Sequence, residues 1–89
     1  MKEKELEKVF KALANRRRLV ILTFLKKTKK ANVGEIAEEI KLSFKSTSRH
    51  LSVLTSSGIL DKEQNGLYFI YSFLTEQSQM MKKILNVIL

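Results

Sequence analysis

The chain has 89 residues, 44% of them apolar, with no cysteine and no proline. That length suits one small domain with a modest core. The missing cysteines exclude a disulfide framework and a thiolate metal site. The net charge is +8, and the excess lies wholly in residues 1–30, which carry 11 basic and 3 acidic residues. Such an imbalance points to a polyanionic partner, nucleic acid or anionic lipid, against the plainer reading of a solubilising surface. No apolar run reaches the roughly 18 residues of a spanning helix, and the charged opening "MKEKELEKVF" is no signal peptide. A cytoplasmic protein without membrane contact is expected.

Leu6, Val9, Phe10 and Leu13 recur at i, i+3, i+4, i+7, one face of a first helix. Asn15 is a good N-cap for the next segment, "RRRLVILTFLKK", apolar on most sides and expected to be a central buried helix. Its lysines Lys26, Lys27, Lys29 and Lys30 lie where the helix dipole favours cations. Asn32 with Glu35 three residues on is a capping-box spacing, and Val33, Ile36, Ala37 and Ile40 give the third amphipathic stripe. "KLS" is a tight turn, and Ser43 caps a fourth helix that Gly58 ends. "ILDKE" and "LYFIYSFL" flank Gln64, Asn65 and Gly66, a hairpin signal centred on Asn-Gly. Thr75 is the expected N-cap of a last helix, with Glu76 in its first turn and Met80, Met81, Ile84, Leu85 and Ile88 as its apolar positions. The fold class is therefore mainly α with a small β-hairpin (α+β), in the order α-α-α-α-β-β-α. A helix–turn–helix followed at once by a hairpin is a winged helix, and DNA readers of this type place the second helix of the pair in the major groove.

The fourth segment, "SFKSTSRHLSVLTSSG", explains that choice best. On a 100° wheel Thr47, Leu51 and Leu54 share one side, while Lys45, Ser48, Arg49 and Ser52 share the other. The outer side is small, polar and positive. Small side chains let a backbone approach a groove floor, hydroxyls bond phosphates or base edges, and arginine forks onto guanine. No acid occurs from Ile40 to Leu60. The bland alternative is an exposed helix that happens to be rich in serine.

"KALANRRRLVIL", "VGEIAEEIKLSFKSTSRHLSVLTSSGIL" and "NGLYFIYSF" resemble the ArsR-type winged-helix repressors of bacteria and archaea, over roughly residues 6–74. The resemblance implies a dimeric, DNA-binding transcriptional regulator whose first and last helices form the dimer interface. Carried over by position, it makes Phe44, Lys45, Ser48 and Arg49 groove-facing, with Phe44 nearer the apolar side of the wheel. Ser43 and Ser52 complete the recognition set. Family members often hold a cysteine pair where this chain has "NVGEIAEE", or metal-binding Asp and His where it has "EQSQMMKKILNVIL". Lacking these, the chain is expected to bind no metal and no cofactor. Family wings often carry a basic residue after the glycine, whereas Leu67 follows Gly66 here, leaving Lys62 and Asn65 as wing contacts.

Arg16, Arg17 and Arg18 occupy the first turn of the second helix, where cations oppose the dipole. A broken local rule hints at function, so Arg16 and Arg17 are expected on DNA phosphates. Arg18 is expected to be structural, paired with Glu35 or Glu38. His50 is expected to pack or hydrogen-bond at the helix margin. Tyr68 and Tyr71 should face opposite sides of their strand. Residues 1–89 are expected to form one winged-helix domain, with residues 1–14 and 75–89 as dimerisation helices through Leu6, Val9, Phe10, Leu13, Met80, Met81, Ile84, Leu85 and Ile88. The expected function is transcriptional regulation, as a repressor, by a homodimer that binds double-stranded DNA sequence-specifically at a palindromic operator, in association with the nucleoid. The alternative is a protein-interaction module whose basic N-terminal third docks an acidic partner. An enzyme is not expected, because no nucleophile–base pair or glycine-rich phosphate loop is present. Whether a small-molecule effector exists is left open by the sequence.

Overall fold

A computed structural model describes residues 2–89. Its elements are α1 (Glu3–Leu13), α2 (Arg16–Thr28), β1 (Ala31–Asn32), α3 (Val33–Ile40), α4 (Phe44–Ser56), β2 (Leu60–Asn65), β3 (Tyr68–Phe73) and α5 (Gln79–Ile88). The strands form one antiparallel sheet in the order β1-β3-β2.

The helix boundaries follow local chemistry. The Asn15 side chain accepts from the Arg18 backbone N–H at 3.1 Å and starts α2. Asn32 and Glu35 form a reciprocal capping box at 2.8 and 2.9 Å, satisfying two otherwise unpaired donors of α3. The Ser43 hydroxyl accepts from the Ser46 N–H at 3.1 Å and starts α4. At the far end of α4, Gly58 takes φ +81°. Its N–H reaches the Thr55 carbonyl, and the Ile59 N–H reaches that of Leu54, both at 3.1 Å. This 6→1 and 5→2 pattern is what a left-handed glycine at C′ permits. The same reversal closes α3, but there Lys41 takes the left-handed conformation, φ 56°. A side chain with a Cβ costs about 1–2 kcal/mol in that region, a cost glycine escapes.

The core lies where the inner faces of the helices meet the sheet. Ile21, Leu22 and Leu25 of α2 are completely buried, so α2 is the central helix its composition requires. Around it pack Val9, Ala12 and Leu13 of α1, Ile36 of α3, Leu51 and Leu54 of α4, Ile59, Leu60, Tyr71, and Met81 and Leu85 of α5. Each valine, leucine, isoleucine or methionine among them contributes about 1.5–3 kcal/mol by leaving water. Burial also raises the pKa of the Tyr71 phenol, while Tyr68, on the opposite face, is 64% exposed.

Four expectations need correction. The strand β1 is additional: Ala31 and Asn32 pair with Tyr71 and Ile70. Two residues carry no periodic signal, and only the distant partner makes them a strand. The hairpin turn is centred on Gly66-Leu67 rather than Asn65-Gly66, because Asn65 pairs with Tyr68. Gly66, with φ +66°, is then the first central residue, where a type II′ turn requires it. The last helix starts at Gln79 rather than after Thr75. Ser78 is its cap, accepting from the Met81 N–H at 3.1 Å. The Leu74 N–H and the Gln77 side chain both donate to the Ile59 carbonyl at 3.1 Å, holding the preceding residues in a strap across the end of α4. Finally, the expected stripe of α1 divides. Val9 and Leu13 are buried, whereas Leu6 is half-buried and Phe10 is 51% exposed.

Candidate nucleic-acid interface

The outer side of α4 stands clear of the core. Thr47, Leu51 and Leu54 are fully buried, so the helix is anchored by one side only. Ser43, Lys45, Arg49 and Ser52 are exposed, and Ser48 is half-buried beside them. Phe44 is 64% exposed despite its place on the wheel. As the first residue of the helix it lies one turn before Thr47, where core contact begins. Among the described residues the one ion pair is Lys11–Glu7, at 4.0 Å on the surface of α1. Lys45 and Arg49 therefore have no carboxylate at bonding distance, and their charge is available to a polyanion.

A second group of cations adjoins the start of α4. Arg16, Arg17 and Lys41 surround a shallow hollow of about 280 Å³ floored by Val20 and Ile40, with no acid in its lining. Arg17 is oriented by a 3.4 Å hydrogen bond from its guanidinium to the Ile40 carbonyl, while Arg16 is exposed. Lys41 was missed by sequence reasoning, which treated "KLS" only as a turn. The available signal was a lysine where a left-handed position favours glycine.

Arg18 is structural, but its partners are not acids, which corrects the expected pairing with Glu35 or Glu38. Its guanidinium donates to the Ala12 carbonyl at 2.6 Å and the Lys11 carbonyl at 3.1 Å, satisfying the last turn of α1. It also reaches His50 Nδ1 at 3.3 Å, so one side chain ties α1, α2 and α4 together. Arginine can only donate, so Nδ1 accepts and the ring proton sits on Nε2. His50 thus hydrogen-bonds at the helix margin. Burial first, then the charges of Arg18 and Arg17, lower its pKa.

The wing differs in kind. Leu67 at its tip is 95% exposed, and Tyr68 and Phe69 beside it are also exposed. Lys62 and Asn65 are both exposed. The Lys62 ammonium lies 4.7 Å from the centre of the Phe69 ring, a cation–π contact within the wing itself. Asn65 borders a hollow shared with Lys30, Glu35 and Glu63, where two carboxylates oppose a phosphate.

The helices named for dimerisation carry apolar side chains on two sides. Val9, Leu13, Met81 and Leu85 are in the core. Leu6 and Ile84 are half-buried, and Phe10, Met80 and Ile88 are 51%, 50% and 45% exposed. Val87, which was not singled out, is 85% exposed. No helix of the described residues is long and apolar enough to cross a membrane. No group of three or more His, Cys, Asp or Glu there could hold a metal ion.

A helix–turn–helix whose second helix shows an acid-free polar face, followed by a two-stranded wing, defines a winged helix-turn-helix protein of the DNA-binding kind. The chain belongs to the ArsR family of bacterial regulatory proteins, whose family model matches residues 15–62, from the cap of α2 into the first strand of the wing. It is similar to the HTH-type transcriptional regulator YgaV of Escherichia coli (strain K12), 29% identical over 68 residues, which are 76% of this chain and 69% of that protein. Among solved structures it resembles the homodimeric winged helix-turn-helix DNA-binding domain of Mb0332 from Mycobacterium bovis. That match has a TM-score of 0.82 and 26% identity, over 96% of this chain and 75% of the other. It also resembles the transcriptional repressor PagR of Bacillus anthracis, with a TM-score of 0.77 and 26% identity, over 97% and 94% of the two chains. The protein is thus a transcription regulator and not an enzyme, on the ground of its family.

Proposed function

We propose that the protein is a homodimeric repressor that binds an imperfect palindrome in duplex DNA. One observation carries this reading: α4 exposes Lys45, Arg49 and Ser52 on a face without a single acid. Two copies of α4 related by a twofold axis would enter successive major grooves about 34 Å apart. Arg49 would read guanine, Ser48 and Ser52 would bond phosphates or base edges, and Ser43 and Lys45 would position the helix. Phe44 would pack on a thymine methyl or a sugar. Arg16, Arg17 and Lys41 would seat a flanking phosphate, with Lys62 and Asn65 as weaker wing contacts. Dimerisation would bury Leu6, Phe10, Met80, Ile84, Val87 and Ile88 between copies, as the homodimeric state of the Mb0332 domain supports. Residues 1–89 would then act as one domain, working in the cytoplasm on the nucleoid. Occupying a promoter would repress it, in line with the repressor PagR.

The test is binding to the DNA upstream of the protein's own gene, against a random duplex, at two salt concentrations. The expected result is tighter binding to the upstream DNA that persists at the higher salt. Nonspecific binding is mostly counterion release and fades steeply with salt. Equal, salt-erased binding to both duplexes would refute autoregulation and favour an acidic protein partner for the basic N-terminal third.

A further inference from the structure

Arg18 belongs to α2, yet its side chain bonds to two other helices. Its Nε donates to the Ala12 carbonyl at 2.6 Å and one Nη to the Lys11 carbonyl at 3.1 Å, both in the last turn of α1. The other Nη donates to Nδ1 of His50, on α4, at 3.3 Å. Among the described residues α1 and α4 share no hydrogen bond or ion pair of their own, so the guanidinium is their polar link. Its three bonds leave one rigid plane. Apolar packing is non-directional, whereas hydrogen bonds weaken steeply once bent, so this fork fixes an angle that packing alone leaves soft. Both side chains are half-buried, which limits competition from water. The same contacts account for an arginine in the first turn of α2, where a cation opposes the helix dipole.

We propose that Arg18 and His50 are positioning residues that set the half-site spacing the protein accepts on DNA. The proposal rests on the homodimeric reading above, in which α1 carries part of the seam and α4 enters the groove. The link joins the backbone just after Phe10, on the exposed side of α1, to the side chain just after Arg49, on the outer face of α4. A tilt of α4 against α1 in one protomer is repeated by the twofold axis in its partner, so the error between the two α4 helices is doubled. Duplex DNA answers such an error sharply, because one base pair is about 3.4 Å of rise and about 35° of twist. A held angle admits one spacing, and a soft angle admits several.

The experiment uses the full chain and a set of palindromic duplexes. Their half-sites come from selection in a randomised pool, and their centres differ by single base pairs. A duplex with a single half-site is the control. Binding is read by fluorescence anisotropy and dimerisation by sedimentation. One base pair out of register breaks contacts of the second α4, so the wild type should lose about tenfold or more at each neighbouring spacing. His50→Leu removes the acceptor on α4 and leaves both bonds to α1. Its loss at neighbouring spacings should shrink to about threefold or less, with single-half-site affinity and dimer strength unchanged. His50→Asn puts an amide oxygen near the place of Nδ1 and should restore the wild-type preference. Arg18→Met removes all three bonds and should flatten the preference further. Loss by one factor on every spacing and on the single half-site would make the pair purely structural and overturn the proposal. A sharp wild-type preference that both His50→Leu and Arg18→Met keep would overturn it alone. A wild type with no preferred spacing would refute the homodimeric reading as well.

Discussion

The outer faces of α4 and α5 are both exposed, and they are opposite in chemistry. Both helices are amphipathic and each gives one stripe to the same core, Leu51 and Leu54 from α4, Met81 and Leu85 from α5. Away from the core, α4 shows Lys45, Arg49 and Ser52, whereas one side of α5 shows Met80, Val87 and Ile88. The inner stripes account for the fold, and the outer ones are free to suit a partner. Hydroxyls and cations lose nothing by standing in water, but apolar area left there forgoes about 25 cal/mol per Å². The face of α4 suits a hydrated polyanion, and the face of α5 suits a surface that excludes water.

The largest effect is expected from breaking the α5 side of this contrast. Val87→Glu places a carboxylate in the proposed seam and should weaken dimerisation by about 2–4 kcal/mol, seen as monomer by sedimentation. Operator binding should fall with it. A dimer of undiminished strength would remove the outer face of α5 from the interface. On the α4 side, Arg49→Ala should cost about 1–3 kcal/mol on the operator and little on random duplex. Lys45→Ala should weaken both alike and lower the salt slope by about 1. Equal losses on both duplexes for Arg49→Ala would reduce Arg49 to a phosphate contact.

A smaller effect separates stability from binding. Lys41→Gly relieves a left-handed lysine and should raise stability by about 1 kcal/mol in thermal or denaturant unfolding. It should weaken binding to every duplex, because one phosphate contact is lost. A variant that gains stability and keeps its affinity would show that Lys41 takes no part in the interface.

The smallest expected change is a pH dependence. The folded-state pKa of His50 lies below its ordinary value of 6.5, through burial and then the charges of Arg18 and Arg17. The unfolded chain therefore takes up the proton first as pH falls. The contribution of His50 to stability is complete above 6.5 and declines as pH drops from there towards the lowered folded value. A protonated Nδ1 also cannot accept from Arg18. Urea unfolding across that window should show the decline, and His50→Gln should flatten it. An unchanged pH profile in His50→Gln would assign the dependence to other groups.

The contrast between α4 and α5 was largely legible in the sequence. Caps at Asn15, Asn32, Ser43 and Gly58 are local chemistry, and the sidedness of α4 is a matter of spacing. What stayed hidden depends on residues far apart in the chain. Two-residue β1 exists through its pairing with β3, and Thr75 yields to Ser78 as a cap because Ile59 ties down Leu74 and Gln77. The carbonyl partners of Arg18 carry no side-chain signature at all, so a search for an acid was bound to miss them. Phe10 and Val9 are adjacent in one apolar stripe, and only packing against α2 decides which is covered.

The sheet order leaves β2 with one open edge. A strand edge with unpaired backbone groups is a template on which another chain can add, and such addition has no natural end. Here the strand reads Asp61, Lys62, Glu63, Gln64 and Asn65 after its first residue, and all five are exposed. A strand laid alongside would have to desolvate charges of both signs without prearranged partners, and the opposite edge, β1, is only two residues long. The wing therefore resists aggregation by edge pairing, even at high protein concentration. A twofold contact through the apolar helices, as proposed above, would instead close on itself and stop at two copies.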